Sequence, residues 1–162
     1  MANTQSMCTS FLGELLGATH NFSATNVART VNTVDTFKAA LYFTTATINA
    51  STTAYTVTGE VTNTSGTGYT AGGVTVTNGV APASTNSSVT AGVGYWTPGG
   101  SFQWTSMTVT TAFDTVLLYN SSQGGKAVSV HTFGSQTISA GTFTLTMPSN
   151  TTTTALIRLA TV

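Results

Sequence analysis

The chain has 162 residues, of which only 5% are charged, and four basic residues balance four acidic ones. This length fits one domain that buries a core without metals or disulfides, and the single cysteine, Cys8, excludes an internal disulfide. Typical soluble domains are roughly 25% charged. The balance provides no basic stripe to neutralise phosphates, so nucleic acid is excluded as a predicted partner.

Residues 1–34 are predicted to form an N-terminal arm with one short helix. The first ten residues are small and polar, which is typical of an extended arm. Large apolar side chains then recur at helical spacing at Phe11, Leu12, Leu15 and Leu16. A helix of about two turns is marginal in water, so we expect it to dock on its own domain or on a neighbouring subunit. The segment does not have the character of a signal peptide or membrane span, and we expect synthesis in the cytoplasm.

Residues 35–162 are predicted to form an all-β domain, a β-sandwich or jelly-roll of about eight to nine strands. Period-two alternation and threonine-rich runs recur at the spacing of such folds, without intervening helices. The predicted strands lie within 35–43, 48–61, 74–80, 89–96, 102–109, 113–120, 126–133, 143–147 and 155–160.

Residues 113–134 are predicted to form the central hairpin. Two runs of strand composition flank a polar turn in which Gly124 and Gly125 supply the positive φ angles that hairpin turns need. Neither face of the first run is cleanly polar, so we expect both faces of this strand to be covered.

Two loops have unusual composition. In residues 66–73, four glycines surround Tyr69, which excludes regular structure and makes Tyr69 the predicted packing anchor. Strand residues follow this loop where a phosphate-binding loop would lead into a helix. Residues 81–100 are predicted to form a long loop broken by a short strand around residues 89–96. Its Tyr95 and Trp96 are interface anchors in one interpretation and cap the core in the other.

The sequence predicts no catalytic, metal or cofactor site. Four acids and two histidines are too few for most catalytic constellations. His131 lies mid-strand and is expected to be packed or hydrogen-bonded, and His20 follows the predicted helix. One sharper hypothesis is a Lys–Asn cross-link promoted by Glu60 or Asp114.

Several segments of the chain resemble a family of small virion structural proteins of tailed bacteriophages. The resemblance lies in residues 11–16, 37–42, 53–60, 66–73, 117–120, 127–130, 133–134 and 141–145. It implies a structural component of the virion and no catalytic residues.

The leading functional hypothesis is a non-enzymatic capsid decoration or cement protein, located in the virion as a symmetric homo-oligomer, most specifically a homotrimer. Its partners would be copies of itself and the major capsid protein, or tail and neck proteins if it is a tail, neck or fibre-attachment subunit. A carbohydrate- or receptor-binding module is the alternative from another class, based on Tyr95, Trp96 and Trp104. The predicted interface residues are Phe11, Leu12, Leu15, Leu16, Tyr69, Tyr95 and Trp96.

Overall fold

The computed structural model describes residues 3–8, 10–11, 15, 19–22, 34–62, 68–85 and 92–160. These residues form a mostly β structure with eight strands, namely β1 (Ser6–Met7), β2 (Phe37–Phe43), β3 (Val74–Thr75), β4 (Ala83–Ser84), β5 (Val93–Trp96), β6 (Phe102–Asn120), β7 (Lys126–Leu145) and β8 (Ile157–Ala160). The strands build a five-stranded antiparallel sheet in the order β1-β7-β6-β2-β3 and a three-stranded antiparallel sheet in the order β4-β5-β8. The all-β prediction is confirmed, and the architecture is sandwich-like.

The predicted central hairpin is present as β6 and β7. A 3₁₀ turn, Ser121–Gln123, joins the strands, and the Asn120 side chain caps it by accepting a hydrogen bond from the Ser122 amide. Gly124 and Gly125 follow with φ angles of 66° and 76°. Residues 115–120, the end of β6 next to the turn, are buried on both faces, as the composition predicted.

The hairpin is much longer than predicted. β6 has 19 residues and β7 has 20, so they include segments that the sequence predicted as separate strands. Gly134 was predicted to end the return strand, but it continues the strand instead. The register of this ladder is irregular at several positions, and bulges of this kind bend a strand and increase its local twist.

The hairpin folds back on itself. Phe113 of β6 pairs with Gln136, whereas Phe143 of β7 pairs with Trp104. Trp104 lies nine residues before Phe113 along β6. A straight ladder would separate these positions by about 30 Å, yet the Phe113 and Phe143 rings meet edge to face at 5.1 Å. Register shifts interrupt the pairing repeatedly between Trp104 and Thr115. The bulged hairpin therefore bends so that the end with Trp104 and Phe143 lies over the middle of the hairpin at Phe113, and the aromatic rings pack between the two parts.

The residues around this bend have unusual backbone geometry. Ser106 has a φ of 56° and Ala140 a φ of 47°, both in the left-handed region that non-glycine residues rarely occupy. Gly68 lies so close to the bend that a Cβ added there would overlap the Ser106 carbonyl group. The glycine-rich loop thus packs directly on the bulged part of β6.

The described part of the N-terminal arm is docked on the domain itself. The Thr4 amide donates to the Ile48 carbonyl (3.1 Å), β1 pairs with β7, and the Cys8 amide donates to the Val128 carbonyl (3.0 Å). The predicted helix lies mainly outside the described residues. Ser10, Phe11 and Leu15 have helical backbone geometry, but the described residues do not establish a complete N-terminal helix.

Residues 48–61 correct another prediction. This threonine-rich run was predicted to supply one or two strands, but its described backbone forms turns and two isolated bridges, Ala54 with Lys126 and Tyr42 with Glu60. β-branched composition favours a strand only where a neighbouring strand offers a continuous ladder. Here β6 occupies one side of β2, and on the other side β3 pairs with Lys38 and Ala39, so this run pairs with β2 only at the bridge to Tyr42.

Replacing Gly73 with alanine is expected to destabilise the fold more than replacing Gly124 with alanine. Both glycines have positive φ, 70° and 66°, so both substitutions cost about 1–2 kcal/mol from backbone strain. At Gly73 the new Cβ would also overlap the backbone of Ala39, which adds about 1–3 kcal/mol, whereas at Gly124 it meets nothing within 4 Å. Urea unfolding of the two variants measures the difference, and equal losses would contradict this packing of the loop on β2.

Candidate functional site

An apolar pocket of about 160 Å³ lies where the N-terminal segment meets the three-stranded sheet. Its lining comes from the N-terminal segment, the start of β4, β5 and β8, and contains no charged side chain. The lining residues are Phe11, Leu15, Phe22, Pro82, Ala83, Gly94, Tyr95, Trp96, Ile157 and Leu159. The pocket therefore offers packing and exclusion of water as its means of binding.

Strand pairing explains why the pocket is apolar and hollow. Gly94 pairs with Leu159 and Trp96 pairs with Ile157, so these four residues alternate onto one face of the small sheet. Gly94 has no side chain, and an added Cβ would meet only the Leu159 carbonyl oxygen, at 3.9 Å. Its φ is not in the left-handed region, so the backbone does not require glycine here. A glycine in a strand interior often marks the close approach of another group.

The structure brings together four of the seven predicted interface residues. Phe11, Leu15, Tyr95 and Trp96 all line this pocket. Phe11 and Trp96 are only 0% and 2% exposed, so they form its wall and are not projecting anchors. Leu12 and Leu16 lie outside the described residues.

Trp96 caps the core, which was the second of the two interpretations of this residue. Its ring lies 4.7 Å from the Phe22 ring, and its indole N–H donates to the Val80 carbonyl (2.9 Å). Sequence reasoning missed Gly94 and Leu159, and period-two alternation does not predict that Leu159 is 40% exposed, because it places Leu159 on the same face as the buried Ile157.

The burial of Trp104 removes part of the basis of the carbohydrate-binding alternative. That alternative depended on exposed aromatic residues, but Trp104 is 2% exposed and packs on Phe143 at a ring distance of 5.8 Å. Trp96 is equally buried. Of the three aromatic residues invoked, only Tyr95 is partly exposed.

Tyr69, the remaining predicted interface residue, lies in a buried cluster around Glu60. One carboxylate oxygen of Glu60 accepts from the Tyr55 hydroxyl (2.6 Å), and the other accepts from the Tyr69 hydroxyl and the Gly72 amide, both at 2.7 Å. The Tyr69 hydroxyl also accepts from the Leu41 amide (2.9 Å). Glu60 is 4% exposed, so these donors replace the water that its charge would otherwise hold. Tyr69 is thus a packing anchor, as its glycine loop predicted.

The tyrosines around Glu60 are held in their neutral form. Burial and the adjacent carboxylate raise the pKa of Tyr119 to about 12. Burial, with further contributions from Glu60, raises the pKa of Tyr42, Tyr55 and Tyr69 still further. Because these pKa values lie above that of an unfolded tyrosine, the folded state keeps protons that the unfolded state loses. The associated stability is present below pH 10 and falls as the pH rises above it.

A second buried carboxylate fixes the turn of the long hairpin. Asp35 accepts from the Asn21 amide (2.7 Å), the Asn120 side-chain amide (2.9 Å) and the Gln123 side-chain amide (3.1 Å). The Asn120 amide nitrogen also lies 3.1 Å from Nδ1 of His20. Because Asn120 uses its oxygen for Ser122, Nδ1 of His20 acts as the acceptor. This cluster joins segments up to 100 residues apart in the chain.

The two carboxylates of the cross-link hypothesis both serve as hydrogen-bond acceptors. Glu60 accepts the three donors described above, and Asp114 accepts from the Asn3 side chain (2.9 Å) and the Thr115 hydroxyl (2.7 Å). Asn3 in turn donates to the Phe43 carbonyl and accepts from the Ile48 amide. The contacts of Asn3 with Asp114, Phe43 and Ile48 hold the N-terminal segment against the domain.

His131 is packed and hydrogen-bonded, as its mid-strand position predicted. Its Nε2 atom lies 2.9 Å from the Ser129 hydroxyl. Burial lowers the pKa of His131 to about 4, so the ring is neutral near neutral pH. It lies between two cavities that Leu156 also lines.

Comparison of the chain with protein-family models, with curated proteins and with solved structures gives no match. Within the described ranges, no helix has both the length and the hydropathy needed to cross a bilayer. The same ranges contain no group of three or more His, Cys, Asp or Glu side chains that could hold a metal ion.

Removing the hydroxyl of Tyr69 is expected to cost more stability than removing that of Tyr55. Tyr69→Phe deletes a bond to Glu60 and leaves the buried Leu41 amide without its acceptor, a loss of about 2–4 kcal/mol. Tyr55→Phe deletes one bond at a partly exposed position, a loss of about 1 kcal/mol. Denaturant unfolding of both variants measures the two losses, and a larger loss for Tyr55→Phe would overturn this ranking.

Acid is expected to weaken the fold in part through His131. Its folded pKa of about 4 lies below its ordinary value of 6.5, so the unfolded state binds the proton first. The contribution of neutral His131 to the free energy of unfolding is about 1–3 kcal/mol. It is fully present above pH 6.5 and is lost as the pH falls towards 4. The difference in unfolding free energy between the natural chain and His131→Gln should shrink across this window. A constant difference would show that His131 does not titrate as described.

Proposed function

We propose that the chain is a non-enzymatic structural subunit of a tailed-phage virion, a decoration or cement protein that sits on the head lattice with copies of itself. The observation that carries the proposal is the apolar pocket, because its uncharged lining and its partly exposed rim fit contact with another protein surface. The resemblance of residues 11–16 and of segments within 37–145 to small virion proteins supports the same function.

The surface chemistry supports a contact role. Among the charged residues that the structure describes, only Arg158 is exposed, whereas Asp35 and Glu60 are buried. The exposed positions within the described ranges consequently carry mostly short neutral side chains. Such a surface associates through shape and burial, since long-range repulsion between like-charged copies is small.

The mechanism would be mechanical. Each subunit junction removes apolar area from water, worth about 25 cal/mol per Å² before the costs of association are subtracted. Many such junctions on a shell would oppose the outward pressure of packaged DNA. The proposal needs no titratable group at the interface, consistent with the use of Glu60 and Asp35 inside the fold.

Counting copies of the chain in purified particles tests the proposal. A decoration protein repeats with the head lattice, so quantitative mass spectrometry should give copies on the order of hundreds, in a fixed ratio to the major capsid protein. A tail, neck or fibre-attachment subunit would give roughly a dozen copies, as expected for a ring at one vertex. The smaller number would replace decoration by the tail function, and absence from particles would refute both.

A further inference from the structure

The apolar pocket has the size of one side chain. Its volume of about 160 Å³ is close to that of cavities of about 150 Å³ that hold benzene in other proteins. Leu159, which lines the pocket, is 40% exposed. Because Gly94 leaves the hollow without being required by the backbone, an apolar group from outside can enter where a larger residue would have closed it.

Val57 is the described large apolar side chain that is most exposed to solvent. It is 68% exposed, whereas the next, Leu159, is 40% exposed. Val57 is the first residue of a turn. The Glu60 amide closes the turn by donating to the Val57 carbonyl (3.2 Å), and Gly59 within it has a φ of 77°. Glycine, asparagine and proline are the usual turn residues, so an exposed β-branched side chain at this turn lacks a local reason.

The turn presents Val57 in a fixed position. The Thr56 carbonyl accepts from the Tyr42 hydroxyl (2.7 Å), and the Gly59 carbonyl accepts from the Phe43 amide (2.9 Å). Glu60, at the end of the turn, is held by the tyrosine cluster. A turn whose backbone is held in this way needs little further ordering when Val57 is buried against a partner, which favours binding.

The exposed Val57 side chain, the knob of this contact, matches the pocket in chemistry. Residues 55–59 carry no charge, and neither does the lining of the pocket. Val57 is not among the residues that line the pocket of its own chain. One molecule therefore carries both halves of a contact, the arrangement that produces head-to-tail association and, where the rotation closes, a ring.

We propose that Val57 of one copy inserts into the pocket around Gly94 of the next copy. The contact is head-to-tail, and each copy uses its turn towards one neighbour and its pocket towards the other. This inference deepens the proposed function, on which it rests for its role in a particle, by naming the residues that join the copies. The self-association itself is a property of the purified chain.

Two variants separate the halves of the contact. Val57→Asp places a charge on the knob, and Gly94→Leu fills the pocket, where an added Cβ meets no atom closer than 3.9 Å. Analytical ultracentrifugation should show an oligomer for the natural chain and a monomer for each variant. Val34→Asp is the matched control at another exposed valine, and it should leave the oligomer intact. Circular dichroism establishes that every variant is folded, and Leu159→Asp blocks the rim should Gly94→Leu fail to fold.

Mixing the two variants gives the decisive result. The Val57→Asp chain keeps its pocket and the Gly94→Leu chain keeps its knob, so an equimolar mixture should form a heterodimer although neither variant associates alone. A natural chain that sediments as a monomer, variants that remain oligomeric, or a mixture that stays monomeric would each overturn the inference. The count of copies in particles is measured separately, so failure of this contact and failure of the proposed function are distinguishable.

Discussion

Much of this structure depends on the hydrogen bonds made to the buried carboxylate of Glu60. A charge at 4% exposure is tolerated because the Tyr55 and Tyr69 hydroxyls and the Gly72 amide all donate to it. Removing one donor leaves a buried acceptor or donor without its partner, which costs more than the bond itself contributes. The segments that supply these donors are therefore fixed relative to one another, although they contain little regular structure.

This cluster reaches both β2 and the long hairpin. Tyr69 accepts from the Leu41 amide of β2, and Tyr119 of β6 donates to the Gly72 carbonyl (2.7 Å). Tyr55 stacks on Tyr119 with ring centroids 4.7 Å apart. The irregular segments around residues 55–60 and 68–73 are consequently fixed to the two strands by hydrogen bonds. The turn at Val57 is attached on both sides, since the Thr56 carbonyl accepts from the Tyr42 hydroxyl and the Gly59 carbonyl accepts from the Phe43 amide.

The sequence predicted the features that depend on local pattern. The strand of residues 37–43, the turn with Gly124 and Gly125, and the role of Tyr69 as an anchor all follow from alternation or from glycine geometry. The continuation of β7 through Gly134 could not be predicted, because an isolated glycine normally weakens a strand. Gly134 lies in the irregular stretch between the pairs Thr115–Thr132 and Phe113–Gln136, so a bulge accommodates the glycine within the long strand.

Contacts distant in sequence explain the other failures. Asn120 meets Asp35 and His20 across 85 and 100 residues, and nothing in a single sequence marks these polar residues as neighbours. Trp104 differs from these contacts. Its alternation with Gln103 and Thr105 places it on the same face as Phe102, so its burial could have been predicted from local pattern, whereas its contact with Phe143 depends on the bend. The pocket around Gly94 likewise required the N-terminal segment to be placed against the small sheet.

Internal use of the few charges also determines how the surface can act. Glu60 and Asp35 are spent on the core, Asp114 holds the N-terminal segment through Asn3, and Arg158 donates to the Thr153 carbonyl (2.8 Å). With 5% charged residues and a formal net charge of zero, the chain has little charge to steer an encounter over distance, so any association would depend on short-range fit after contact. Affinity for a partner would then reside mainly in slow dissociation of a packed apolar contact and would respond weakly to salt. A pocket and a rigid knob, both uncharged, are the kind of elements that such a surface can use.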